Sequence, residues 1–236
     1  EISGSGTCVD ISRAAGRNLV LDADVTLSCL VFNPQGSVKK LTISGSGKII
    51  HDCPSYTVGM FIGPGREIAF DVDVEKPAFG VSNYNSPTIV GGGRVTVKKG
   101  FPGTTRDDTG NWKRPGYVLD GELAFAGKTR FLGEETSKLF GIGTWEIAGH
   151  SRIVFDEGCD VEAYRIDPSP IRNIVASDEW VQNGGSLSMQ NFYFTSYYSK
   201  RRTPFSYTLN SGIMTIAGEF CLGSAYYTAE YRYPGG

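Results

Sequence analysis

The chain has 236 residues and a formal net charge of -2, with 40% hydrophobic and 20% charged residues. This apolar share is too high for a disordered chain, and the charge balance lacks the basic excess of nucleic-acid-binding proteins. No run of 18 apolar residues is present, so the sequence predicts no membrane-spanning helix. His51 and His150 are the only histidines, which excludes most histidine-based metal sites and catalytic triads. We therefore expect no metal site, no cofactor, no nucleic-acid partner and no insertion into a membrane.

Short strands separated by glycine occupy residues 18–99. The predicted strands are residues 19–21, 25–29, 41–44, 48–50, 68–75 and 94–98. Apolar and polar residues alternate most clearly in residues 68–75, where Asp71, Asp73 and Glu75 share one face of the predicted strand. Further strands are predicted within residues 118–125, 144–147 and 152–155, and glycine or proline pairs punctuate all of them.

These strands recur every 22 to 27 residues. A period of that length is typical of a solenoid in which each coil buries its apolar face against the next coil. The alternative is an antiparallel β-sandwich, which also has short strands, usually every 8 to 12 residues or so. Some of the predicted strands lie that close together, so the spacing favours the solenoid and leaves the sandwich open.

Three runs carry a resemblance to a known fold family, at residues 41–50, 65–74 and 93–100. They resemble the coils of right-handed parallel β-helices, as found in pectate-lyase-like proteins and bacteriophage tailspikes. The resemblance covers roughly residues 15–160. It rests on the general pattern of short strands and glycines, without a diagnostic motif. It implies a short right-handed parallel β-helix.

The last part of the chain differs in composition. Residues 180–236 hold 13 of the 28 aromatic residues, and the coil period fades near residues 167–170. We therefore predict two units, a β-helix over residues 1–167 and an aromatic-rich β module over residues 168–236. In tailspikes a β-structured C-terminal region often joins three chains, so the resemblance implies a homotrimer.

The five cysteines, Cys8, Cys29, Cys53, Cys159 and Cys221, include no closely spaced pair. Their odd number and wide spacing fit neither a disulfide framework nor a zinc site. We expect buried thiols that act as small apolar side chains. The separations of 21 and 24 residues between the first three would also suit a stack of coils.

The row Asp71, Asp73 and Glu75 is the first candidate for catalysis. On one strand neighbouring carboxylates of this row would lie about 6.6 Å apart. Inverting glycosidases separate their two carboxylates by roughly 6.5–9.5 Å, so the row is suited to acid–base chemistry on a glycosidic bond. The alternative is a solvated outer face that pairs with Arg94, Thr96 and Lys98 on the next coil.

The polar loop at residues 104–114 is the second candidate, because long loops on a rigid scaffold often bind ligands. Its candidate saccharide-binding residues are Arg106, Asp107, Asp108, Trp112 and Arg114. Trp112 would stack on a sugar ring, while the charged side chains would bond hydroxyl or acidic groups. The alternative is a solvated insertion whose tryptophan packs back onto the coil.

These observations predict a tailspike or tail-fibre component that recognises bacterial surface polysaccharide. Its location would be the virion tail, outside cells, after assembly in the host cytoplasm. One alternative is a polysaccharide-cleaving enzyme, a glycoside hydrolase or a lyase, that uses the surface carboxylates. The other is a non-catalytic structural β-sandwich of a virion or cell surface.

Overall fold

The structure is a computed structural model that describes residues 8–51, 59–75, 88–102, 116–118, 120–132, 142–143, 145–147, 151–166, 178–193, 205–218 and 220–221. Every strand pair in this part of the chain is parallel, and partners come from successive coils. The fold is therefore a parallel β-solenoid. The prediction of an all-β solenoid is confirmed, and the antiparallel sandwich is wrong.

The described strands lie on three faces, which we call A, B and C. Face A contains β1 (Cys8–Asp10), β4 (Cys29–Phe32), β7 (Met60–Ile62), β10 (Thr88–Val90), β13 (Gly116–Val118) and β17 (Trp145–Ile147). Face B contains β2 (Asn18–Leu21), β5 (Lys40–Gly45), β8 (Glu67–Asp71), β11 (Arg94–Val97), β14 (Glu122–Phe125), β18 (Arg152–Phe155), β20 (Asp178–Gln182) and β22 (Phe205–Leu209).

Face C consists of two consecutive sheets. The first contains β3 (Val25–Leu27), β6 (Ile49–His51) and β9 (Val74–Glu75). The second contains β12 (Phe101–Pro102), β15 (Lys128–Leu132), β16 (Ile142–Gly143), β19 (Asp160–Ile166), β21 (Ser186–Tyr193), β23 (Ile213–Ile216) and β24 (Phe220–Cys221). The backbone N–H of Val74 donates to Gly100 at 2.9 Å, so the first sheet leads into the second.

The core fills the space between the three faces. In the strands whose side chains are described, period-two alternation sends side chains inward, and the register stacks them in columns. One column on face B runs through Phe70, Val97, Phe125 and Phe155, all of which are buried. Aromatic rings add contacts between coils, since the ring centroids of Phe125 and Phe155 lie 5.5 Å apart.

The parallel pairing continues past residue 167. β18 pairs with β20 and β19 pairs with β21, so described strands on both sides of that point share sheets. The division into a β-helix and a separate aromatic-rich module stays a prediction. No helix in the described part of the chain is long and apolar enough to cross a membrane.

A disulfide joins the first two coils. Cys8 in β1 and Cys29 in β4 occupy the same register position, and their Cα atoms lie 4.4 Å apart. The expectation of free thiols is therefore wrong for this pair, because the separation of 21 residues equals one coil and brings the two side chains together. Cys159 is a free buried thiol, as expected. Cys53 and the side chain of Cys221 lie outside the described residues.

Candidate functional site

The structure places the acidic row Asp71, Asp73 and Glu75 around a corner. Asp71 ends β8 on face B, Asp73 lies in the bend, and Glu75 belongs to β9 on face C. The sequence predicted one continuous strand, since the alternation continues through the bend. Val72 and Val74 are both buried, because the chain turns between faces while keeping its apolar side chains in the core.

Each carboxylate of that row has a structural partner on a neighbouring coil. Glu75 lies 2.6 Å from the Nζ of Lys48, and this hydrogen bond raises the pKa of Lys48 above its usual value. Asp73 accepts a hydrogen bond from the backbone N–H of Gly100 at 2.8 Å, and Asp71 lies 3.9 Å from Lys99. The proposed catalytic role of the row stays a prediction.

The alignment expected between the acidic row and the next coil holds for one of the three residues. The backbone N–H of Lys98 donates to the carbonyl oxygen of Phe70, so Lys98 lies beside Asp71 as expected. Arg94 and Thr96 lie beside Glu67 and Ala69 instead, so their expected alignment with the acidic row is wrong. The predicted loop residues Arg106, Asp107, Asp108, Trp112 and Arg114 lie outside the described residues.

A row of alternating charges, which we call the charge ladder, crosses face B at the start of its strands. The register aligns one residue from each of six successive coils. In coil order they are Lys40, Glu67, Arg94, Glu122, Arg152 and Glu179. Adjacent strands are about 4.8 Å apart, so each charge faces an opposite charge on the next coil.

Ion pairs hold most of the ladder in place. Lys40 Nζ lies 2.8 Å from Glu67 Oε1, and Arg152 Nε lies 2.5 Å from Glu122 Oε2. Arg94 also pairs with Glu122 through its Nη1. Only 14% of the Glu122 side chain is exposed, compared with 25% of the Glu67 side chain, so Glu122 is the more buried of these two ion-paired acids.

The side chain of Arg94 extends beyond the ladder over the sheet. Its Nε donates to Thr96 Oγ1 at 3.1 Å, and its Nη2 pairs with Asp156 two coils away. Ala124 lies between these contacts in the register and is fully buried. Arg94 therefore covers small outward-facing side chains as well as carrying charge.

Glu67 is held in its ionised form. Burial alone would raise its pKa, but hydrogen bonds from Lys40 and Thr96 and the charges of Lys40 and Arg94 outweigh burial and lower the pKa below its usual value. Thr96 Oγ1 donates to Glu67 Oε1 at 2.8 Å. A carboxylate held in this way is suited to accepting hydrogen bonds and unsuited to donating a proton.

A groove of about 540 Å³ lies beside the charge ladder. That volume falls within the roughly 300–1,000 Å³ of small-molecule sites. Its basic lining residues are Lys39, Lys40, Arg66, Arg94 and Arg152. Its acidic lining residues are Glu67, Asp120 and Glu122. The groove thus has a local excess of positive charge in a chain of net charge -2.

Glycines form the floor of the groove because the coils approach closely there. A Cβ on Gly93 would lie 2.6 Å from the carbonyl oxygen of Gly63, and a Cβ on Gly121 would lie 2.5 Å from that of Gly93. Gly121 also has a φ of +134°, a conformation that side chains disfavour. The floor of the groove at Gly93 and Gly121 is therefore free of side chains, and the charge ladder runs alongside it.

This arrangement can bind a polar ligand along several coils at once. Within the described residues no cluster of three His, Cys, Asp or Glu side chains is placed to hold a metal ion. Sequence reasoning missed the groove, although one signal was present. Two of the turns have a charged residue directly after a glycine, Gly93 before Arg94 and Gly121 before Glu122.

Comparison of the chain with protein-family models, with curated proteins and with solved structures gave no match.

Proposed function

We propose that this chain is part of a bacteriophage tailspike or tail fibre and that the groove on face B binds bacterial surface polysaccharide. The observation that carries the proposal is the groove itself, which crosses several coils of a rigid parallel solenoid and is lined by hydrogen-bonding side chains. A polymer has repeating units along its length, and a solenoid offers repeating positions along its axis.

The ion pairs of the charge ladder support binding. Arg94 and Arg152 are oriented by Glu122 before any ligand arrives, so little side-chain entropy is lost on binding. Arg66 is oriented too, since its Nε and Nη2 donate to the carbonyl oxygens of Pro34 and Gly36 at 3.1 Å. Such fixed donors suit the hydroxyl and acidic groups of a saccharide.

The Cys8–Cys29 disulfide supports an extracellular location, because disulfides persist in oxidising environments. In the proposed virion tail this bond would form after release from the host cytoplasm. We also propose that three chains assemble, as expected from the resemblance to tailspikes. Light scattering after size exclusion should then give three times 25.6 kDa, and a monomer would contradict the trimer.

A glycan array with host-cell binding tests the recognition of polysaccharide. We expect the wild-type chain to bind at least one bacterial surface glycan and the Asp120→Trp variant to lose this binding, since an indole at this exposed position would fill the groove. Lys128→Trp, on face C, is the matched control and should bind like the wild type. Absence of binding to every glycan and host cell would contradict the proposed function.

Cleavage is measured on the same samples. Release of reducing ends, or absorbance of unsaturated products, would assign the chain to the enzyme alternative. If either appears, its loss in Asp71→Asn, Asp73→Asn or Glu75→Gln would place catalysis in the acidic row. If these variants keep full activity, the row has no catalytic role.

A further inference from the structure

The charges that line the groove are not equally compensated. Lys40 pairs with Glu67, while Arg94 and Arg152 pair with Glu122. Among the described residues, Lys39 and Asp120 form no ion pair, and Arg66 bonds only to neutral carbonyl groups. Two positive charges and one negative charge therefore remain available to a ligand.

These three groups occupy defined positions along the solenoid. Lys39 and Arg66 are neighbours on adjacent coils, since the backbone N–H of Glu67 donates to the carbonyl oxygen of Lys39 at 2.7 Å. Gly93 follows Arg66 in the same column and Gly121 follows Gly93, as the hydrogen bonds of Arg94 and Glu122 show. Asp120 precedes Gly121, so its backbone lies two coils from the backbone of Arg66, about 9.6 Å along the axis.

Glycines occupy the positions between the two ends. Gly92 and Gly93 lie between Arg66 and Asp120, and no side chain rises from either. A Cβ built on Gly92 would lie 3.7 Å from its nearest neighbours, which are the carboxylate oxygens of Asp120 and the Cγ of Pro64. A ligand can therefore lie along the floor and reach both ends at once.

We propose that the groove binds a zwitterionic saccharide, with an acidic group held by Lys39 and Arg66 and a free amino group held by Asp120. This inference rests on the proposed function and specifies its ligand class. The Arg66 guanidinium bonds to Pro34 and Gly36 on the preceding coil, so the charged groups are separated by about two to three coils, the length of a few sugar rings in an extended β-1,4-linked chain. A repeat that carries one acid and one amine over a few sugar rings matches this spacing.

Four hexasaccharides with one backbone test the proposal by calorimetry. They are a chitin oligomer, which is neutral, carboxymethyl chitin, which is acidic, chitosan, which carries amines, and O-carboxymethyl chitosan, which carries both groups. We expect carboxymethyl chitosan to bind tightest, about fivefold tighter than carboxymethyl chitin or chitosan, each of which carries charge of one sign, since each partly exposed ion pair contributes up to about that factor. The chitin oligomer should bind weakest.

Two variants separate the ends of the groove. Asp120→Asn should abolish the preference for the free amine while keeping the preference for the acid. Lys39→Gln should reduce the preference for the acid about threefold and leave the preference for the amine. The matched controls are Asp22→Asn and Lys128→Gln, which remove the same charges at exposed positions outside the groove.

The outcomes distinguish this inference from the proposed function. If carboxymethyl chitin binds tightest, the groove is a simple basic surface and the inference is wrong. Equal binding of the four oligomers, or unchanged ratios in Asp120→Asn, would also overturn it, while binding to array glycans would leave the proposed function standing. No binding to any oligomer or array glycan would overturn both.

Discussion

The middle coils and the last described coils distribute polar and apolar side chains in opposite ways. Phe125, Phe155, Gln182 and Leu209 share one inward column of face B. In the middle coils the two apolar phenylalanines are buried. In the last described coils the buried residue of the column is the polar Gln182, and the apolar Leu209 is 51% exposed. In the described residues no strand pairs with the far side of β22, which contains Leu209. Burial in a solenoid therefore depends on a coil lying on both sides, more than on the direction of the side chain.

The buried amide of Gln182 is compatible with the core because its polar atoms have partners. Its Nε2 donates to the carbonyl oxygens of Gly184 and Ile213 at 3.2 and 3.1 Å, and its Oε1 accepts from the hydroxyl of Tyr207 at 2.6 Å. These bonds tie three segments of the last coils together. In the last coils hydrogen bonds connect neighbouring coils, whereas in the middle coils stacked apolar side chains connect them.

Truncation of the aromatic core should give the largest difference between the two regions. Phe125→Ala should lower the free energy of unfolding by about 3–5 kcal/mol, since it removes the contacts with Phe101 and Phe155 and leaves a cavity. Leu209→Ala in the same column should cost less than about 1 kcal/mol because half of its side chain is exposed. Urea unfolding of both variants measures this, and equal losses would contradict the comparison.

Removal of the disulfide should cause the next largest loss in the free energy of unfolding. This loss should arise in the first coils, at the opposite end of the solenoid from Leu209. Replacing Cys8 and Cys29 by serine opens a loop with a sequence separation of 21 and should cost about 3 kcal/mol. Hydrogen exchange should show the loss in β1 and β2 first. Cys159→Ala is the control without a bond, and free thiols on Cys8 and Cys29 in the unreduced protein would overturn the prediction.

High pH should destabilise the last coils through Cys159 and Tyr207. Burial raises the pKa of Cys159 to about 11, with Asp156 and Asp160 adding to the shift, and burial also raises the pKa of Tyr207. Both groups stay neutral in the folded chain and ionise first in the unfolded chain, so their contribution is complete below the unfolded pKa values and falls as pH rises.

The expected loss for Cys159 between pH 8 and 10 is roughly 1–2 kcal/mol. Unfolding of the wild type and of Cys159→Ala over this range measures it, and the variant should decline less steeply. Parallel pH profiles would show that Cys159 ionises equally in both states.

The charge ladder should give the smallest effect of the four. Glu122→Gln should cost about 1 kcal/mol, because it leaves Arg94 and Arg152, on the coils to either side, without the carboxylate that both contact. Glu75→Gln, which breaks the more exposed pair with Lys48, should cost about half as much. Unfolding at low and high salt measures both, and a salt-independent loss in Glu122→Gln would contradict an electrostatic origin.

Sequence patterns predicted the strands and the coil period but not the alignment between coils. Ile68 and Phe70 identify an inward face by alternation alone, whereas the pairing of Arg94 with Glu67 depends on turn lengths that the pattern does not specify. The corner at Val72 was not predicted, because apolar and polar residues continue to alternate through it. Gln182 was missed although it lies two residues after Trp180, in the inward phase of the same strand.

The Cys8–Cys29 disulfide shows how a global count can mislead. An odd number of cysteines argued against bonds, yet a separation of one coil length outweighs the count once the fold is known. The groove could not be predicted in the same way, because its residues come from turns of several coils and meet only when the register is known.

The alternation of sign in the charge ladder has a consequence for how such a chain can change in length. Deleting the coil that carries Arg94 would place Glu67 against Glu122, and like charges directly opposite each other destabilise a sheet. Deleting two neighbouring coils would restore opposite neighbours. Duplication or loss of sequence in this part of the solenoid should therefore be tolerated in even numbers of coils, which makes a coil pair of roughly fifty residues the natural unit of growth.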